Sequence, residues 1–182
     1  IHCFEPAAET FKILCSQVKS DKVIMNNFGM SDTCTESILY YDAECDGLAS
    51  MYKRQCVEHA EPIRIKLDTV DHYCEERNIP RINLLKIDIE GNDIIALQTM
   101  EKVSEKPLYI SVETECIGED EDIAGHELDT LNALYQLGYR KFKLVDQRTL
   151  TVLDYNCFYK NNSEHNWFCL LYTSPSPRDR QK

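Results

Sequence analysis

Ile82-Asn83-Leu84-Leu85-Lys86-Ile87-Asp88-Ile89-Glu90-Gly91-Asn92-Asp93 is the stretch whose reading decides the fold. Its apolar run is nearly continuous and ends among Asp88, Glu90 and Gly91, after which the spacing turns helical with Ile94, Ile95 and Leu97. Such a run passing at once into a helix is the pattern of a buried parallel strand. Asp88 and Glu90 therefore stand at a strand's carboxyl end, the edge where open α/β sheets bind ligands.

Outward from this point, strands and helices alternate. The pattern predicts strand 1 to 5, helix 7 to 18, strand 22 to 27, strand 83 to 89, helix 91 to 102, strand 107 to 113, helix 125 to 137, strand 140 to 146 and a last strand near 166 to 171. Between 33 and 68 the order is less regular. Ser37-Ile38-Leu39-Tyr40-Tyr41 and Ile63-Arg64-Ile65-Lys66-Leu67 read as two β runs, a hairpin-like insertion at the sheet edge. A short helix opens at Asp68 to Asp71, capped by Thr69 or Asp68. The expected fold class is α/β, a mostly parallel sheet with helices on both faces.

Leu84-Leu85-Lys86-Ile87-Asp88-Ile89-Glu90-Gly91 resembles the signature of the FkbM-type family of S-adenosylmethionine-dependent methyltransferases. A second segment, Phe4-Glu5-Pro6 after an apolar strand, is similar to the family's second signature, so the likeness runs from residue 1 to about 168. The resemblance implies an incomplete class I methyltransferase (Rossmann-like) fold over 1–168 with S-adenosylmethionine as cofactor. Glu5 is then the acid that accepts hydrogen bonds from the ribose, the position such an acid holds in nucleotide-binding folds. Met30, Ser31 and Asp32 belong to the loop closing over adenine, and Asp88 lies near the methionine part.

The family's first strand and its glycine-rich turn have no counterpart here. Only six glycines are present and none forms Gly-x-Gly, so residues 1 to 182 alone are expected to bind the cofactor poorly and to be inactive. From Cys169 onward, Cys-Leu-Leu-Tyr-Thr-Ser-Pro-Ser-Pro-Arg-Asp resembles a translated sequencing adapter, and 169–182 are expected to be a non-native tail.

Methyl transfer from a sulfonium is a displacement that depends on holding the methyl carbon and the nucleophile in line. An oxygen nucleophile also needs a base. Asp88 is the first candidate for that catalytic role and Glu90 the second, with helix capping as the alternative for both. Glu113 ends the next strand and is expected either in the same cleft, at the acceptor, or in solvent. Lys53 and Arg54 are candidates for an anionic part of the acceptor, or an ordinary exposed basic pair. Lys86 within a buried strand needs a partner. Asn92-Asp93 stands where the family more often has Ala-Glu.

The formal charge of −11 argues against a nucleic-acid-binding face. No apolar run approaches the roughly 20 residues of a membrane span. The acids from Glu113 to Glu127 read as a solvated loop. Nine cysteines without any Cys-x-x-Cys favour reduced thiols and a cytoplasmic setting over zinc or disulfides. His59, His72, His126 and His165 are read as lacking an i, i+4 partner or clustered carboxylates, so no metal is expected. The leading function is O-methylation of a hydroxyl on a small-molecule, lipid, sugar or glycan acceptor. An NAD-dependent oxidoreductase and a non-catalytic domain of the same fold are the alternatives.

Overall fold

The computed structural model describes residues 1–44, 46–53, 57–103, 105–114, 123–146, 152–153 and 168–173. Ten strands and four α-helices follow in the order β1 (His2–Phe4), α1 (Ala8–Gln17), β2 (Ile24–Asn26), β3 (Gly29–Met30), β4 (Thr35–Tyr41), β5 (Glu61–Asp68), α2 (Val70–Glu76), β6 (Leu84–Ile87), α3 (Asp93–Gln98), β7 (Tyr109–Thr114), α4 (Ile123–Gln136), β8 (Lys141–Asp146), β9 (Val152–Leu153) and β10 (Phe168–Thr173). A 3-10 turn over Thr99–Lys102 prolongs α3, so the helix expected over 91 to 102 is present in two pieces.

The strands form three sheets: β1-β2, β3-β5-β4 and β6-β7-β10-β8-β9. β1 with β2, β3 with β5, and β6 with β7 run parallel. β4 with β5, β10 with β7, β10 with β8, and β8 with β9 run antiparallel. The fold is thus mixed α/β, and the expectation of one mostly parallel sheet does not hold among the described residues. Two features cause the difference. The runs at 37–41 and 63–67 pair as a long antiparallel ladder from Thr35↔Leu67 to Tyr41↔Glu61, as a hairpin-like insertion requires, but they make a sheet of their own with β3. The last strand lies between β7 and β8 against the direction of both. Because β10 reaches Thr173, residues 169 to 173 pair within the sheet although they fall in the stretch expected to be a tail.

The main core gathers Val70 and Cys74 of α2, Ile87 of β6, Leu97 and Met100, Ile110 and Val112 of β7, and Leu134, Leu137 and Tyr139 around the end of α4. Ile110 and Val112 are two apart and so project from one face of β7. Three helices consequently cover that face, and Ser111 and Glu113 take the opposite one. α4 stops at a Schellman turn, where Gly138 at φ 100 donates to Tyr135 O and Tyr139 donates to Leu134 O. The same turn ends α2 at Asn78, φ 52.

Tyr73 of α2 joins this core to the first sheet. Its ring is 3% exposed and packs edge-on against His2 and Phe4. Its hydroxyl donates to Asn26 Oδ1 at 3.2 Å and meets His2 Nδ1 at 2.7 Å. Burial, with the nearby amino terminus and Arg77, holds the His2 imidazole below its ordinary pKa, so at neutral pH it is uncharged. Removing the hydroxyl in Tyr73→Phe leaves buried Asn26 short of a donor, and a loss of about 1 to 2 kcal/mol is expected in urea unfolding. An unchanged midpoint would show that the ring contacts alone fasten α2 to β1.

Candidate active site

β6 and β7 place the acids. Ile87 pairs with Val112, so the parallel register, carried one residue further, sets Asp88 beside Glu113. Alternation then puts Lys86, Asp88, Ser111 and Glu113 on the sheet face opposite the main core. Carboxylate oxygens of Asp88, Glu90 and Glu113 all lie within 4.8 Å of one another. Three carboxylates this close repel one another unless a cation lies near. Lys86 supplies one cation, its Nζ 2.6 Å from Asp88 Oδ2, which answers how a lysine is accommodated in this strand. Its own side chain is 56% exposed, so its charge stays hydrated. Glu113 is 5% exposed and faces the cleft rather than solvent. Such a group can accept a proton from a hydroxyl or bind a cation.

Three side chains hold the turn after β6. Glu90 has φ 57, an uncommon conformation for a residue with a side chain, and Gly91 follows at φ 98. Asp93, at the start of α3, accepts from Ile89 N at 3.2 Å through one oxygen and from Gly91 N at 3.0 Å through the other. Ser50, 1% exposed, donates to Glu90 O at 2.7 Å. Asn92 Nδ2 reaches back to Met30 O at 3.3 Å and Ser31 Oγ at 3.1 Å. Asn92 Oδ1 is buried without a hydrogen-bond partner among the described residues.

Glu5 sits just past β1, one oxygen accepting from Ala7 N at 2.7 Å at the start of α1. Ala7, the cap residue, makes no side-chain cap itself. Glu5, Met30, Asp88, Glu90, Asn92 and Glu113 all line one cavity of about 1240 Å³. It lies between β1 and β6, neither of which pairs with the other. Ser31 is buried at its margin through Asn92, whereas Asp32 is exposed. Lys53 is exposed and does not line the cavity. Arg54 and the acidic stretch from Glu115 to Asp122 fall outside the described residues.

The family model for the methyltransferase FkbM domain matches residues 2–141. The chain belongs to the FkbM methyltransferase family. Searches of curated proteins and of solved structures find no significant match. The matched span contains the whole carboxylate group, Glu5 and the Asn92 bridge, so the family domain and the cavity coincide.

One sequence reading changes here, and one left between two residues is decided. His72 does have a carboxylate at the i−4 position: its Nδ1 lies 2.7 Å from Asp68 Oδ1. Thr69, not Asp68, caps α2, its side chain accepting from His72 N, while Asp68 Oδ1 takes the Thr69 N–H. Asp93 is noted in the sequence only as part of the Asn92-Asp93 departure from the family's Ala-Glu, not as a site residue. Its signal was present in the acid directly after Gly91-Asn92, but that position is equally common for an exposed first-turn acid.

Burial pushes the Asp93 carboxyl up to about 6, against the opposing pull of the Gly91 and Ile89 N–H groups. An acid whose folded pKa exceeds its unfolded one binds more protons folded than unfolded. Stability therefore falls as pH rises from about 4 to about 6, by on the order of 2 to 3 kcal/mol. Asp93→Asn should remove that part of the slope whatever it does to the absolute stability. Urea midpoints of both proteins between pH 4 and 7 are the measurement, and parallel curves would mean that Asp93 is not the group responsible.

Proposed function

We propose that the protein transfers a methyl group from S-adenosylmethionine to a hydroxyl of a sugar, glycan, lipid or small metabolite. Family membership supports the reaction class. The observation that carries the site is the convergence of Asp88, Glu90 and Glu113 at the ends of two adjacent parallel strands, on the cavity that Glu5 also lines. On this reading the domain is a class I methyltransferase fold whose parallel pairs β1·β2 and β6·β7 flank the binding cavity.

The residues present fit such a cofactor. The cavity exceeds the size of ordinary small-ligand sites. Glu5 has acceptor capacity beyond the Ala7 N–H, since an ionised carboxylate offers about four lone-pair positions. Asn92 Oδ1 is a buried acceptor that awaits a donor, beside Met30 and Ser31 of the adjoining loop. S-adenosylmethionine supplies a methyl group on a positively charged sulfonium. A wall rich in carboxylates favours that cation electrostatically.

In this reading Glu5 holds the ribose hydroxyls, and the loop Met30-Ser31-Asp32 borders the base. Asp88 takes the acceptor's proton, assisted by Glu90 and with Glu113 at the acceptor. Lys86 fixes the direction of Asp88, as an ammonium at hydrogen-bond distance does. Lys53 and Arg54 are retained as contacts for an anionic part of the acceptor.

In the purified protein, Glu5→Ala should weaken S-adenosylmethionine binding by about 1 to 3 kcal/mol, because two hydroxyls lose their acceptor. Glu5→Gln, which keeps an oxygen for the Ala7 N–H, separates this loss from any weakening of α1. Calorimetry giving unchanged affinity for both variants would reject the ribose assignment. Asp88→Asn should lower turnover by about 10² to 10⁴ with the cofactor still bound, as loss of a general base does. Near-normal turnover by that variant would leave Asp88 only a structural part.

A further inference from the structure

Outside the cavity, three elements bring a thiol, a carboxylate and an imidazole together. Cys34 precedes β4, Asp68 ends β5 and His72 lies in the first turn of α2. The pairing Thr35↔Leu67 fixes Cys34 next to Asp68, and Met30↔Asp68 on the other side fixes the loop that leads to it. Cys34 Sγ is 2.9 Å from Asp68 Oδ1, and His72 Nδ1 is 2.7 Å from the same oxygen. The three donor atoms lie within 4.8 Å of one another. None of these residues lines the cavity.

We propose that Cys34 Sγ, Asp68 Oδ1 and His72 Nδ1 form a three-ligand site for a zinc-class divalent ion, which clamps the loop after β3 to the start of α2. A sulfur, a nitrogen and an oxygen donor match the borderline-soft preference of zinc and exclude magnesium and calcium, which take oxygen ligands. Tetrahedral zinc with its ordinary bond lengths separates such donors by roughly 3.3 to 3.6 Å. The observed contacts need to open by less than an ångström. The side chains of Cys34 and His72 are exposed, so both can make that adjustment and the fourth position opens to water. On binding, the Cys34 thiol proton passes to solvent, His72 ligates through Nδ1 as a neutral imidazole with its proton on Nε2, and the ion takes the place of two hydrogen bonds converging on one oxygen.

Asp68 O also accepts from Ser31 N at 2.8 Å, so an ion at Asp68 would steady the Met30-Ser31-Asp32 loop at the cavity margin. Its position outside the cavity makes the site independent of the methyl-transfer reading.

The test uses the purified full chain, stripped with chelator and titrated with zinc or cobalt(II). One ion per chain should bind, raise the melting temperature by several degrees, and in the cobalt form give a thiolate-to-metal charge-transfer band in the near ultraviolet. Cys34→Ser should abolish the band, and His72→Ala should weaken binding at least tenfold, while Cys15→Ser leaves both unchanged. Both target side chains are exposed, so these variants should fold. Failure of the chain to bind either ion would overturn the proposal. So would equal binding by the Cys34→Ser and His72→Ala proteins, which would place the ion on other cysteines.

Discussion

The buried carboxylate of Asp93 is the constraint on which the site depends. The chain must leave β6 and enter α3 within five residues, and it does so by placing Glu90 in a left-handed conformation that few residues with side chains adopt. The cost of such a conformation is of order 1 to 3 kcal/mol and persists only where the surroundings over-determine it. Asp93 does this by taking the N–H groups on both sides of Glu90. The same turn is then tied to β3 through Asn92 and to the Ser50 loop through the Glu90 carbonyl. Three segments distant in sequence therefore meet at one bend, and the directions of Asp88 and Glu90 follow from it.

How much of this was legible in the sequence depended on range. The strand-to-helix passage at 82 to 97 shows because periodicity is local, and all ten strands and helices expected outside the insertion are found within a few residues of their predicted positions or, for the helix at 91 to 102, in two pieces. What failed was pairing. Nothing within residues 166 to 171 states that this strand will run against β7 and β8, and the sequence could not say that β3, β4 and β5 would close into a sheet of their own. Direction and partner are properties of the assembled chain. Glu113 illustrates the same limit, since its burial follows from standing opposite Asp88 across a register that only the β6·β7 pairing defines. The contact of His72 with Asp68 was within reach at four residues' spacing, but the helix start that orients it lies between them.

Electrostatics distinguishes the surroundings of Asp88 from those of Asp93. A first-turn acid that only caps accepts backbone N–H groups of its helix, which is what Asp93 does for the residues leading into α3. Asp88 is directed instead across the strand face to Lys86, within 4.8 Å of two further carboxylates. Gathering three acids costs repulsion that capping does not require. The chain retains the cluster at a place where Lys86, Arg81 and a buried Asn92 oxygen, without a donor among the described residues, line the same cavity.

The two walls of that cavity belong to different sheets, so their spacing is set by what spans them. α2 is the spanning element: Val70 and Cys74 are part of the core behind β6 and β7, while Tyr73 on the same helix packs against His2 and Phe4 of β1. Because Tyr73, Val70 and Cys74 lie within two turns, a shift of α2 would move both walls at once. The helix is in turn positioned at its start by Thr69 and Asp68 and at its end by the Asn78 turn. Glu5 and Asp88 thus keep their separation through a helix that carries neither of them, which is why the packing of Tyr73 bears on the shape of the cavity although its hydroxyl is committed to Asn26 and His2.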